Sequence, residues 1–189
     1  MKINILIVGV GGQGTLLASR VLGEFAAARG LDCKLSEVHG MAQRGGSVVS
    51  HVKIDDKVFS PIIGEGEADI ILAFEELEAY RSRYYLRKGG MIIVNRQQIF
   101  PMPVIIGAAK YPENIINKMK EEGIKVEAVD ALSIAEECGN IKAANTVMIG
   151  RLAKLMNIPS AEMKEVLSKV IPAKLIDINL KAIEIGFGG

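Results

Sequence analysis

Gly9, Gly11 and Gly14 stand at the spacing G-x-G-x-x-G within VGVGGQG at 8–14, a stretch that also holds Gly12 and the carboxamide of Gln13. In a dinucleotide-binding turn the first glycine makes the bend and the second admits a phosphate to the backbone. The third lets helix and strand pack closely, and the helix start offers free N–H groups with a partial positive charge. Any strand turning sharply into a packed helix favours glycine there, so the spacing leaves both readings open. An acidic ribose partner about 20 residues further on would be Glu37. Gln13 adds a group that both donates and accepts.

A second constellation lies at 39–46, HGMAQRGG. Arg44 carries a planar five-donor fork, and Gly45 and Gly46 let a carboxylate or phosphate approach the neighbouring N–H groups. Being always charged, Arg44 suits an anchor for ligand or partner and not an acid–base role. His39, at an expected strand end, can donate to an anion, whereas His51 on a strand face reads as a packing residue. Glu75 and Glu76 look like a carboxylate pair, but acids are favoured at a helix start in any case. The sequence contains no Ser-His-Asp order, no H-E-x-x-H and no P-loop lysine, and Gly64-Glu65-Gly66 is too short and acidic to cradle phosphate. No catalytic residue and no metal ligand set is expected. The ligand- or partner-binding candidates are Gly9, Gly11, Gly12, Gln13, Gly14, His39, Gln43, Arg44, Gly45 and Gly46.

These groups need a frame. The apolar run at 1–8 suits a central strand covered on both faces, and Leu16, Leu17, Val21, Leu22 and Phe25 recur at helical spacing up to a stop at Gly30. A second strand at 33–38 follows. Alternation over 47–54 sets Val48, Ser50, Val52 and Ile54 on one face and Ser47, Val49, His51 and Lys53 on the other; with Asp55-Asp56 as a turn, residues 47–60 read as an inserted hairpin. Further core strands are expected at 69–73, 91–94 and 125–129, and helices at 75–86 and 112–122. An irregular stretch at 95–109 has an extended piece at 104–106. Helices at 131–138 (capped by Asp130), 143–156, 161–169 (capped by Ser160) and 174–185 make a helical C-terminal third. The pattern predicts an α/β fold, a doubly wound, mostly parallel, Rossmann-like sheet in one domain over 1–189, with ligands at the carboxyl ends of the strands.

Composition narrows the partners. Among 189 residues, 23 Lys plus Arg face 22 Asp plus Glu, so a net charge of +1 gives no electrostatic case for nucleic acid or an anionic membrane. With five Phe, four Tyr and no Trp, a base-stacking platform is not expected either. Cys33 and Cys138 lie far apart, so one chain cannot supply the four thiolates of an iron–sulfur cluster. No apolar run approaches the roughly 18 residues that span a bilayer, and a cytoplasmic protein with reduced cysteines is expected.

VGVGGQG at 8–14 together with VHGMAQRGGSVVSHVKI at 38–54 resembles the gamma-type module of the 2-oxoacid:ferredoxin oxidoreductases. Within that family HGMAQRGG is most similar to the small beta subunits of the indolepyruvate-dependent members; pyruvate-type relatives commonly carry other residues before Arg-Gly-Gly. Asp69, Gly89-Gly90, Asn95 and Ala144-Asn145-Thr146 extend the resemblance over essentially the whole chain. It implies a larger alpha subunit that holds thiamine diphosphate, its magnesium and the iron–sulfur clusters. That assembly oxidatively decarboxylates indolepyruvate or another aryl pyruvate to an acyl-CoA while reducing ferredoxin. This chain would then carry no cofactor of its own. It would be a non-redox subunit, inactive alone, that completes the partner's active site, with coenzyme A at the interface. Alone, a homodimer through the partner-facing surface is conceivable. The rival is an independent NAD(P)- or FAD-dependent enzyme using 9–14 and Glu37, which has no need of Gln43-Arg44-Gly45-Gly46.

Overall fold

The computed structural model describes residues 1–40 and 45–188. The apolar N-terminal run is strand β1 (Ile3–Val10), and Ile5, Leu6, Ile7 and Val8 are wholly buried. The glycine turn leads to helix α1 (Thr15–Ala28), which ends where Gly30 and Leu31 donate back to the carbonyls of Ala27 and Ala26. Strands β2 (Asp32–His39), β3 (Ser47–Asp55) and β4 (Ala68–Ala73) follow, then helix α2 (Glu76–Ser82) and strand β5 (Leu86–Asn95). Helices α3 (Met102–Ile105) and α4 (Ile115–Glu121) precede strand β6 (Lys125–Val129). The chain finishes with α5 (Ala131–Glu137), α6 (Ala144–Leu155), α7 (Ser160–Val170) and α8 (Ile176–Gly188).

The sheet order is β2-β3-β1-β4-β5-β6. β3 runs antiparallel to both neighbours while β1, β4, β5 and β6 pair in parallel, so five of the six strands deliver their carboxyl ends to one edge. Alternate residues of β1 feed two cores. Ile5 and Ile7 pack with α1 and the C-terminal helices, and Leu6 and Val8 pack with Leu77, Ile115 and Met119 on the other face. The fold is the expected α/β type with a mostly parallel sheet and a helical last third.

The hairpin lies elsewhere than expected. Residues 47–55 are one strand, and the hairpin is β2–β3, with β3 lying between β2 and β1. The period-2 alternation identifies the strand and its faces correctly, but alternation says nothing about which neighbour a strand pairs with. Residues 104–106 are not extended: Pro103 sits in the first turn of the short α3, where its missing N–H costs nothing. Nor does Ser160 cap α7; it is the first helical residue, after Pro159, and its hydroxyl donates to Glu184 at 2.7 Å. Asp130 does cap α5, accepting from the N–H of Ser133.

α6 and α8 touch through their backbones. A Cβ on Gly150 would lie 2.3 Å from the Ile183 carbonyl, and one on Gly186 would lie 2.2 Å from that of Val147. Gly150→Ala is therefore expected to cost about 1–3 kcal/mol through overpacking, read as a lower denaturant midpoint with an unchanged slope. A second expectation concerns His51, which is buried and accepts the Ile63 N–H at Nδ1 (3.2 Å). Burial first, and Lys53 second, hold its imidazole below the ordinary value of 6.5. The folded state resists a proton that the unfolded chain accepts. Stability is full above 6.5 and falls as the pH drops through the lower folded value. Urea midpoints from pH 7.5 to 5 should show that decline in the native protein, and less of it in His51→Asn.

Candidate functional site

The carboxyl ends of β1, β4 and β5 meet around Gln13. Gly14 has the left-handed backbone (φ 88°) that lets the turn close, and the Gln13 side chain folds back beneath it. Its Oε1 accepts from the Val10 N–H at 2.7 Å; its Nε2 donates to the Phe74 carbonyl and to Gln97 Oε1, both at 2.8 Å. Asn95, buried at the end of β5, donates to the same two acceptors and receives the N–H of Ala131 at the start of α5. Four chain segments are thus tied at one point.

The two motifs singled out in the sequence meet as well. The Gly11 N–H donates to the Gly46 carbonyl at 2.9 Å, and the Gly45 N–H donates to that of Gly11 at 3.4 Å. Ser47 then donates to the buried Glu78 of α2, which also takes Arg81 at 2.7 Å. Glu78 carried no signal in the sequence, being one charge among many on a helix. Gln43 and Arg44 lie outside the described residues.

Crevices open on both sides of the turn. One, of about 430 Å³, lies between Gly11, Gly12, Gly14 and Thr15 on one wall and Glu37, His39 and Val48 on the other. His39 is half exposed, its Nδ1 4.0 Å from Glu37, and Glu37 accepts from Ser50 at 3.0 Å. The other, of about 450 Å³, is lined by Gln13, Asn95, Gln97, Lys142 and Asn145 among others, and no carboxylate lines it. The side-chain amide nitrogens of Gln97 and Asn145 and the backbone N–H groups of Gly12 and Gly14 have no acceptor among the described residues. With Lys142 and no carboxylate beside them, these donors suit an anion. Asn145 packs so closely that a Cβ on Gly14 would lie 2.2 Å from its Nδ2. Asn145 was met in the sequence only as part of Ala144-Asn145-Thr146; nothing in its spacing pointed to the turn.

The other candidates fall away from this point. Glu75 caps α2 through the N–H of Glu78 and also accepts from Ile99 and Tyr111, so it is a structural clasp. Burial raises its carboxyl above the ordinary value despite those three donors. Glu76 accepts from Gln98. Among the described residues, no three His, Cys, Asp or Glu side chains group as metal ligands would. The dinucleotide reading loses its geometry: β3 stands between Glu37 and β1, and the Gly11 N–H, which a pyrophosphate would need, is spent on Gly46.

Fold and site define a Rossmann-like module whose glycine turn is tied to its own hairpin. The chain belongs to the family described as "Pyruvate ferredoxin/flavodoxin oxidoreductase", whose family model matches residues 4–188. It is 44% identical to the "Indolepyruvate oxidoreductase subunit IorB" of Thermococcus kodakarensis, covering 97% of this chain and 93% of that one. The fold is shared with the gamma subunit of a keto/oxoacid ferredoxin oxidoreductase from Geobacter sulfurreducens (TM-score 0.72, 23% identity, 98% of this chain and 96% of that one). It is shared too with a 2-oxoglutarate:ferredoxin oxidoreductase from Magnetococcus marinus, solved with 2-oxoglutarate, coenzyme A and succinyl-CoA bound (TM-score 0.76, 20% identity). There this chain is covered to 99% but accounts for only 30% of the longer chain. The resemblance read from the two glycine motifs is borne out, and none of these relatives supports the independent NAD(P)- or FAD-dependent enzyme.

Because Gln13 satisfies a donor and two acceptors at once, Gln13→Glu is a sharper probe than truncation. The glutamate can still accept from Val10 but turns a carboxylate toward the carbonyl of Phe74 and Oε1 of Gln97. A loss of about 1–3 kcal/mol is expected, and chemical denaturation beside Gln13→Met, which removes the polar group altogether, would measure it.

Proposed function

We propose that this chain, folded as one domain, is the small non-redox subunit of a ferredoxin-dependent 2-oxoacid oxidoreductase acting on indolepyruvate or a related aryl pyruvate. It completes the active site of a larger subunit that holds thiamine diphosphate, magnesium and the iron–sulfur clusters. The observation that carries the reading is the pair of hydrogen bonds between Gly11 and residues 45–46. They fasten Gly45 and Gly46 to the glycine turn, so these glycines and the turn form one rim. A rim of that kind has more use in closing over another protein's site than in seating a nucleotide of its own. The names of the relatives at 38–44% identity support the same assignment.

Coenzyme A fits the second crevice by charge. The donors of Gly12, Gly14, Gln97 and Asn145, with the Lys142 ammonium, would hold its phosphates, and no acidic lining residue opposes them. Bound at the interface, coenzyme A supplies the thiol that accepts the acyl group. The chain's own work is positional: it orients an anionic carrier and excludes water from the partner's reaction centre. Arg44 is proposed as an anchor for substrate carboxylate, carrier phosphate or a partner's acid.

Co-expression with a thiamine-diphosphate alpha subunit from the same genome should give a complex that reduces ferredoxin with indolepyruvate and coenzyme A. Arg44→Ala should lower kcat/KM by roughly a hundredfold while the complex still co-purifies, as loss of a charge-assisted anchor implies. A lone chain that binds NAD(P) or FAD tightly and never joins that protein would overturn the proposal.

A further inference from the structure

Segment 96–111 leaves the carboxyl end of β5 at the same edge of the sheet as the crevices, and it is built unlike an ordinary connection. Phe100, Met102, Ile105 and Ile106 are exposed to 52, 65, 63 and 68%. Loops that present four large apolar side chains to water are uncommon, and contiguous exposed apolar surface marks contact with another molecule. The segment is also held firmly. One buried carboxylate, that of Glu75, takes the N–H of Ile99 at 3.1 Å and the hydroxyl of Tyr111 at 2.5 Å. The Phe100 and Tyr111 rings lie 5.3 Å apart, and the short α3 orders the middle. Both ends are pinned at one point while the apolar middle is pushed outward.

We propose that residues 99–110 are a preformed docking arm that seats in an apolar groove with an acidic rim on a separate, larger polypeptide. The charge pattern argues for that occupant. Arg96 precedes the arm and Lys110 ends it, and from 96 to 112 the sequence has no acidic residue; a second copy would bring the same basic ends together. The same fold also occurs as under a third of a longer chain in the Magnetococcus marinus structure. Pinning both ends lowers the ordering cost of association.

The inference rests on the subunit reading and is tested apart from it. Binding of the full-length chain to the immobilised thiamine-diphosphate protein is measured for the native sequence, for Ile105→Glu with Ile106→Glu, and for Phe59→Glu. Phe59 is the control: it is 85% exposed but lies past β3, at the opposite edge of the sheet. The arm variant should bind more than about tenfold more weakly with its melting temperature unchanged, and Phe59→Glu should bind as the native chain does. Arg96→Glu with Lys110→Glu should weaken binding and lessen its dependence on salt. Native affinity in the arm variant would overturn the inference while leaving the subunit reading intact. So would an arm variant whose only defect is loss of a homodimer. Failure of the native chain to bind at all would remove the subunit reading and the arm with it.

Discussion

A single carboxamide sets the geometry of the carboxyl-end edge. Gln13 turns back under its own glycines and meets the N–H of Val10, the carbonyl of Phe74 and the amide oxygen of Gln97, so the ends of β1, β4 and β5 cannot shift independently. Asn95 repeats two of those contacts and carries the tie on to α5 through Ala131. Each group is partly or wholly removed from water, where an unmade hydrogen bond costs more than a made one contributes. The crevice walls are rigid because the polar atoms behind them are already satisfied.

That arrangement changes what a familiar spacing means. In a dinucleotide-binding turn the backbone of the second glycine faces phosphate. Here Gly11 is joined to Gly45 and Gly46 in both directions, and the free donors move to Gly12 and Gly14, on the side where Asn145 and Lys142 stand. Gly12 and Gly14 line the crevices on both sides of the turn, and the proposed carrier would meet them from the α6 side. A tightly bound nucleotide would approach from the β2 side, where Glu37 and His39 already face each other.

Sequence periodicity carried the fold a long way. The buried run of β1, the two faces of β3 and the Asp130 cap were all legible, since each is decided by residues close in the chain. What escaped were decisions made across the chain. Nothing in 47–55 tells that it inserts beside β1. Gly150 and Gly186 carried no signal of their own, whereas their missing side chains are what let α6 and α8 meet. At the site the glycines and Gln13 could be named as candidates from the motif. Their inward partners, Asn95, Gln97 and Asn145, come from elements 80 or more residues away in sequence, and Glu78 looked like any surface acid. Long-range hydrogen bonding leaves no local pattern.

The placement of β3 also governs how the chain reaches this state. β1 is made first, yet its neighbour on one side is β3, which also pairs with β2, and its neighbour on the other is β4, with the 57 residues between Val10 and Ala68 still to be made. Until the β2–β3 pair closes as a unit, the most apolar strand of the protein has both edges open. Non-local pairing of this kind slows folding and exposes strand edges to other chains. The insertion that fastens the glycine turn in the finished molecule thus leaves the nascent one with a period of vulnerability to aggregation, one that early engagement by a binding partner or chaperone would shorten.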